Sequence, residues 1–179
     1  MVIASAGNSG ASANPYVGVP AEATNVLAVG AVKADETYAT FSSIGPSFDG
    51  RVKPDVMAQG QASVVSNTSG TIVTANGTSF AGPIMAGMIT SFWSAVPNLT
   101  AAEVVQFVKE SSDRFTIPTN QFGYGIPDFQ LALNNALSTV LFDNDTILIY
   151  PNPVQNELTI QLPKSESIGK LTLYNNLGQ

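Results

Sequence analysis

Asn76-Gly-Thr-Ser-Phe-Ala-Gly-Pro83 places a serine between a turn signal and the expected start of a helix. In that position the Ser79 hydroxyl is exposed, and the helix N-terminus supplies unpaired N–H groups and partial positive charge. The setting suits an attacking nucleophile and the oxyanion it creates. It equally suits a serine that merely caps the helix. A second segment, Ala6-Gly-Asn-Ser-Gly10, follows an apolar run and holds an amide side chain, Asn8, in a glycine-flanked loop. Asn8 could donate to an oxyanion or simply close an Asx-turn.

Composition narrows the chemistry. The 179-residue chain has no histidine and no cysteine. Imidazole acid–base catalysis, His or Cys metal ligation and disulfides are therefore excluded within it. Asp49, Asp55 and Asp128 read as turn and cap residues, and no metal or cofactor is assigned. Thirteen acids against seven bases give a net charge of −6 with no basic cluster, which argues against nucleic acid as a partner. Hydrophobic residues at 44% and charged residues at 11% exclude a disordered acidic tail. The longest apolar stretch, Ile84–Val96, is interrupted by Gly87, Thr90, Ser91 and Ser94, so no transmembrane helix is expected. Scarce lysine with abundant Ser, Thr, Asn and Gly points to an extracellular protein.

The elements that must position Ser79 and Asn8 follow from the apolar pattern. Val2–Ala6 and Asn25–Val32 read as buried strands, with shorter ones at Ala39–Ser43 and Val56–Ala58. Thr71–Ala75 is a β-branched strand leading into the Asn76-Gly77 turn signal. A helix is predicted from about Ser79 to Val96, with Pro83 in its first turn and Pro97 ending it. Thr100-Ala-Ala-Glu103 is a capping box opening a helix to about Ser111, whose apolar face is Val104, Phe107 and Val108. Pro127-Asp128 opens a third helix through Leu137, with Leu133, Ala136 and Leu137 as its stripe. Trp93 and the phenylalanines read as core or interface aromatics. Strands alternating with amphipathic helices imply an α/β layered domain with a mostly parallel sheet.

The pattern changes after Ser138. Asp143-Asn144-Asp145 reads as a polar hinge, followed by short strands at Ile147–Tyr150, Glu157–Leu162 and Lys170–Asn175. The expected organisation is a domain over 1–138, a linker over 139–147 and an incomplete all-β sandwich module over 148–179, since a sandwich needs about seven strands. Because Met1 leads directly into a strand, the chain reads as a fragment lacking an N-terminal part.

The two chemical segments, taken with what lies between them, resemble the subtilisin-like serine proteases (subtilases, peptidase S8). Gly77-Thr-Ser-Phe-Ala-Gly-Pro83 matches the family's G-T-S-x-A-x-P, and Ala6–Gly10 matches A-G-N-x-G. Val26–Val32 matches V-x-A-V-G-A-V, Phe41–Gly45 matches F-S-S-x-G, and Gly50–Val56 is similar to G-R-x-K-P-D-V. Gly123-Tyr-Gly125 resembles the closing glycine turn. The resemblance covers about residues 1–138. It implies a subtilisin-like fold and a serine endopeptidase with a polypeptide substrate. Ser79 would be the nucleophile, and Asn8 and the Ser79 backbone N–H the oxyanion donors. Ser5, Ala6 and Gly7 would line one side of the S1 pocket with Gly18 near its floor, and Gly77 and Thr78 would also border the substrate. Calcium is common in the family, but its usual ligands find no match here.

The family's aspartate and histidine motifs, D-[ST]-G and H-G-T-H, precede the asparagine and are absent. Ser79 without its base is a weak nucleophile, so the chain alone is expected to be inactive. Gly77-Thr-Ser-Phe-Ala81 also resembles the G-x-S-x-G elbow of α/β-hydrolases, but that fold needs a histidine downstream. Sedolisins use aspartate where Asn8 stands. Two other readings are a non-catalytic surface protein retaining the subtilase shell, and a split enzyme completed by a second chain. Finally, Tyr150-Pro-Asn-Pro-Val-Gln-Asn-Glu-Leu-Thr-Ile160 and Leu171–Gly178 resemble the C-terminal sorting domain of type IX secretion cargo (Por type). That resemblance implies the type IX machinery as a partner, and export across the outer membrane to the surface or the medium.

Overall fold

Three runs of small and β-branched residues pair in chain order into a parallel sheet. They are β1 (Val2–Ser5), β2 (Val26–Val32) and β3 (Val56–Gln59). The register sets Val2 beside Val26, and Val29 beside both Ser5 and Val56. Central β2 is buried from Leu27 onward, as a strand covered on both faces must be. The computed structural model describes residues 1–140, 148–150, 156–161 and 172. It falls into two compact units, Met1–Ala136 and Leu137–Gln179.

A hairpin of β4 (Ser63–Ser66) and β5 (Ile72–Ala75) follows β3 and leads into α1 (Thr78–Ala95). The face of α1 formed by Ala81, Met85, Ile89 and Phe92 is buried against Val29, Ala31, Val56 and Ala58 of the sheet. α2 (Ala101–Glu110) adds Val104 and Val108 to this core, and α3 (Phe129–Val140) adds Ala132 and Ala136. Each fully buried Val or Ile contributes about 1.5–3 kcal/mol relative to exposure. The Thr100–Glu103 capping box forms as expected, and its bonds hold the Glu103 carboxyl below the usual carboxylate range. In the second unit, β6 (Leu148–Tyr150) and β7 (Thr159–Gln161) pair antiparallel. The expected hinge at Asp143–Asp145 and the strand at Lys170–Asn175 lie outside the described residues, apart from Thr172.

Three local expectations are corrected, and one strand is additional. Ala39–Ser43 is not a strand: Tyr38 bridges Val32, Ala39 donates to Ala31, and the chain then turns. β4 carries no strong period and was not anticipated. The stripe of α3 includes Leu133 and Ala136 as expected, with Ala132 fully buried, but Leu137 is exposed. Pro83 lies in the second turn of α1, since the helix already begins at Thr78. The Ser79 carbonyl therefore lacks its i+4 donor.

Asp55 is neither turn nor cap residue. It is buried at the start of β3, with Oδ2 accepting from Lys53 Nζ at 2.5 Å and from Ala28 N at 2.8 Å. Its Oδ1 meets Lys109 Nζ of α2 at 2.6 Å. Lys53 Nζ also donates to Val26 O at 2.7 Å. One carboxylate thus joins β2, β3 and α2. Asp49, by contrast, is a turn residue bonded to Ser47 and Arg51, which hold its carboxyl at about 2. Asp128 caps α3 through the N–H groups of Gln130 and Leu131. Asp55→Ala strands two ammonium groups and the Ala28 N–H, and is expected to cost about 3–5 kcal/mol in urea denaturation. A loss below about 1 kcal/mol would show that water reaches the site.

Candidate functional site

In a parallel sheet all carboxyl ends face one way, so the loop after β1 and the segment after β3 emerge on the same side. There the first turn of α1 meets Ala6–Ser9. Asn8 Oδ1 accepts from the Thr78 backbone N–H at 2.9 Å and from Thr78 Oγ1 at 3.0 Å. Thr78 Oγ1 in turn accepts from Gly7 N at 3.2 Å. Ser5 Oγ donates to Thr78 O at 2.9 Å. Buried Thr78 is therefore bonded through its N–H, carbonyl and hydroxyl to three residues some seventy positions earlier.

This arrangement decides which way the Asn8 amide faces. The Thr78 N–H can only donate, so the partner atom must be the amide oxygen. The Asn8 Nδ2 group is left without an acceptor among the described residues, pointing away from Thr78 N. Gly77 begins α1 as its N-cap with φ 153°, and a Cβ there would lie 3.6 Å from Asn8 Nδ2. That is ordinary contact distance, so it is the positive φ rather than lack of space that favours glycine there.

Ser79, exposed, is the second residue of α1. It is not the cap. Neither its Oγ nor its backbone N–H has a hydrogen-bond partner among the described residues, as expected for an N–H in the first turn. Its surroundings are an open depression of about 450 Å³, lined also by Ile3, Ser5, Gly82, Pro83 and Ala86. None of these side chains titrates. Gly82 allows the close approach of β1, since a Cβ there would lie 2.8 Å from Ser5 Oγ.

The loop that carries Asn8 is braced from behind. Ser43 N donates to Gly7 O, Ser9 N donates to Ser43 Oγ, and Gly10 N donates to Phe41 O. This explains physically what Phe41-Ser-Ser43 contributes, which the sequence pattern alone did not reveal. Ala6 is buried beside β2, donating its N–H to Val29 O. The structure thus brings Ser5, Ala6, Gly7, Asn8, Gly77, Thr78 and Ser79 together. Gly18 is exposed, accepts from Glu22 N, and does not line the depression around Ser79. Asn76, half of the Asn-Gly turn signal, does more than turn the chain: its Oδ1 accepts from Ala62 N at 2.7 Å, and Gly77 N donates to Gly60 O. These bonds tie the base of the hairpin to the start of α1. Among the described residues no cluster of acids suited to a metal ion is found, and no helix is long and apolar enough to cross a membrane.

Known proteins share this arrangement of segments. The profile of the subtilase family (peptidase S8) matches residues 1–125, and that of the secretion system C-terminal sorting domain matches residues 148–179. Subtilisin DY of Bacillus licheniformis is 39% identical over 105 residues, covering 58% of this chain and 36% of that protein. Subtilisin NAT of Bacillus subtilis subsp. natto is 36% identical over 126 residues, covering 70% and 31%. The chain thus spans about a third of the length of these relatives. Among solved structures, the self-cleaved protease domain of PatA aligns with a TM-score of 0.61 at 25% identity, over 75% of this chain and 49% of that one. The prenylagaramide maturation protease PagA aligns with a TM-score of 0.64 at 24% identity, over 76% and 50%.

Thr78→Val keeps the volume and removes the hydroxyl. Gly7 N–H then loses its acceptor and Asn8 one of its two anchors. The expected result is a loss of about 1–3 kcal/mol in urea denaturation, with exchange broadening of the Asn8 side-chain amide in NMR spectra. Unchanged stability and a sharp amide signal would mean that the Thr78 backbone N–H alone suffices.

Proposed function

The chain belongs to the subtilase family, and on that premise we propose that it carries the nucleophile and oxyanion donors of a serine endopeptidase acting on polypeptides. The single observation that supports this most is the pinning of Asn8 Oδ1 by Thr78, the residue before Ser79, which leaves Nδ2 without an acceptor among the described residues. Ser79 Oγ attacks the peptide carbonyl carbon and its proton passes to a base. The carbonyl oxygen becomes an oxyanion, which Asn8 Nδ2 and the Ser79 N–H receive. Collapse of the intermediate expels the amine and leaves an acyl-enzyme, which water hydrolyses. Donors already in place cost no reorganisation as charge develops.

The base comes from outside these 179 residues. The chain has no histidine, and nothing titratable lines the depression around Ser79. Ser5, Ala6 and Gly7 would form one wall for the substrate side chain N-terminal to the scissile bond, with Gly77 and Thr78 beside it. For Gly18 the support is the resemblance alone. Residues 1–138 would form the part of the catalytic domain held by this chain, joined through 139–147 to the sorting domain. That sorting domain directs the chain by type IX secretion to the cell surface or the extracellular space.

Two preparations test the proposal. The 179-residue chain alone is expected to show no phenylmethylsulfonyl-sensitive peptide hydrolysis. In the complete gene product, Ser79→Ala should abolish hydrolysis. Asn8→Ala should lower kcat about 10²–10³-fold with little change in KM, the cost known for that donor in a subtilisin. Hydrolysis surviving Ser79→Ala would overturn the assignment.

A further inference from the structure

The amino-terminal end of the sheet, opposite Ser79, holds a second cleft of about 310 Å³ with quite different chemistry. Arg51, Lys53 and Lys109 line it, three of only seven cationic side chains in a chain of net charge −6. The one acid in its lining is Asp55, and both oxygens of that carboxylate are already engaged by Lys53, Lys109 and Ala28 N. Arg51 is paired with Asp49 and also feels the Glu22 carboxylate, both outside the lining, so the excess charge of the cleft comes from the two lysines. Two ammonium groups on one carboxylate leave a positive excess at a place where the Lys53 side chain is 2% and Asp55 5% exposed. Such an excess beside a buried carboxylate favours an anionic counter-ligand at the solvent-accessible mouth formed by Lys109, Arg51 and Thr24.

Donors for that ligand are in place. Lys109 Nζ uses one proton on Asp55, and its remaining protons have no acceptor among the described residues. Its side chain is 22% exposed and lies 5.3 Å from the centroid of the Tyr124 ring. The Tyr124 and Thr24 hydroxyls line the same cleft without hydrogen bonds of their own among those residues. Arg51 spends Nε on Asp49 and Nη2 on Glu22 O, leaving Nη1 free.

We propose that this cleft binds a small tetrahedral oxyanion, such as inorganic phosphate, between Lys109, Arg51 and the Tyr124 and Thr24 hydroxyls. Bound there it would brace β2, β3 and α2 against one another, at the end of the sheet remote from Ser79. The inference is independent of any catalytic role for Ser79.

The test is titration calorimetry of the 179-residue chain with inorganic phosphate, with sodium acetate and sodium chloride as separate arms at matched ionic strength. Direct binding is needed because phosphate stabilises folded proteins nonspecifically through exclusion from their surface. Saturable one-to-one binding of phosphate is expected, with acetate at least about tenfold weaker and chloride silent. Lys109→Met should weaken phosphate at least about tenfold, and Lys109→Arg should retain it. Tyr124→Phe, which leaves the buried ion pairs intact, should weaken it a few-fold and guards against misfolding of the Lys109 variants. No saturable phosphate binding, acetate binding as tightly as phosphate, or affinity indifferent to both Lys109→Met and Tyr124→Phe would each overturn the proposal.

Discussion

One acceptor atom organises the carboxyl end of the sheet. Asn8 Oδ1 receives both the N–H and the hydroxyl of Thr78, and so binds the loop after β1 to the first turn of α1 across some seventy residues of chain. An N–H in the first helical turn has no partner within its helix. Here that ordinary vacancy at Thr78 is filled by a side-chain amide, while the next N–H, at Ser79, stays open. The same bond fixes the face that the amide turns outward. If Asn8 rotated, the Thr78 N–H and the Asn8 Nδ2 group would oppose each other donor to donor. Gly7 and Gly82 fit this constraint, because a Cβ at either would lie 2.8 Å from a serine hydroxyl, Ser43 Oγ and Ser5 Oγ respectively.

Much of the architecture was legible in the residues. The apolar runs at Val2–Ala6, Asn25–Val32 and Val56–Ala58 became the three parallel strands, and Thr100–Glu103 became a formed capping box. Asn8 and Ser79 could be singled out because a polar residue between glycines after a buried strand, and a serine before a helix, are local signals. What stayed hidden was what depends on distant partners. Asp55 in a Lys-Pro-Asp run looks like any turn acid until Lys109 arrives from α2. The role of Ser43 rests on backbone groups of Gly7 and Ser9. The helix begins at Thr78, whose N–H is received by Asn8, and Pro83 is its sixth residue, past the first turn that proline prefers. At α3 the stripe held at Leu133 and Ala136 but overran at Leu137, where Ala132 is buried instead.

The first unit is also electrostatically divided. The depression around Ser79 holds hydroxyls, an amide nearby and apolar walls, with no charge. The amino ends of β2 and β3 hold the buried carboxylate and its lysines. Hydrogen-bond donors fixed in place before charge develops are what stabilise an oxyanion. No titratable side chain lines that depression. The buried charges take the opposite task. A carboxylate shared by two strands and a helix penalises any register in which it loses a partner, so it specifies the sheet more than it stabilises it.

The most direct check on the central claim, that Asn8 and Ser79 face one reacting centre, is a crystal structure of the complete gene product after reaction with a fluorophosphonate. The account predicts phosphorus bonded to Ser79 Oγ, with the phosphonyl oxygen at roughly 2.7–3.1 Å from both Asn8 Nδ2 and the Ser79 N–H. Phosphorus on another residue, or a phosphonyl oxygen turned away from Asn8, would contradict it.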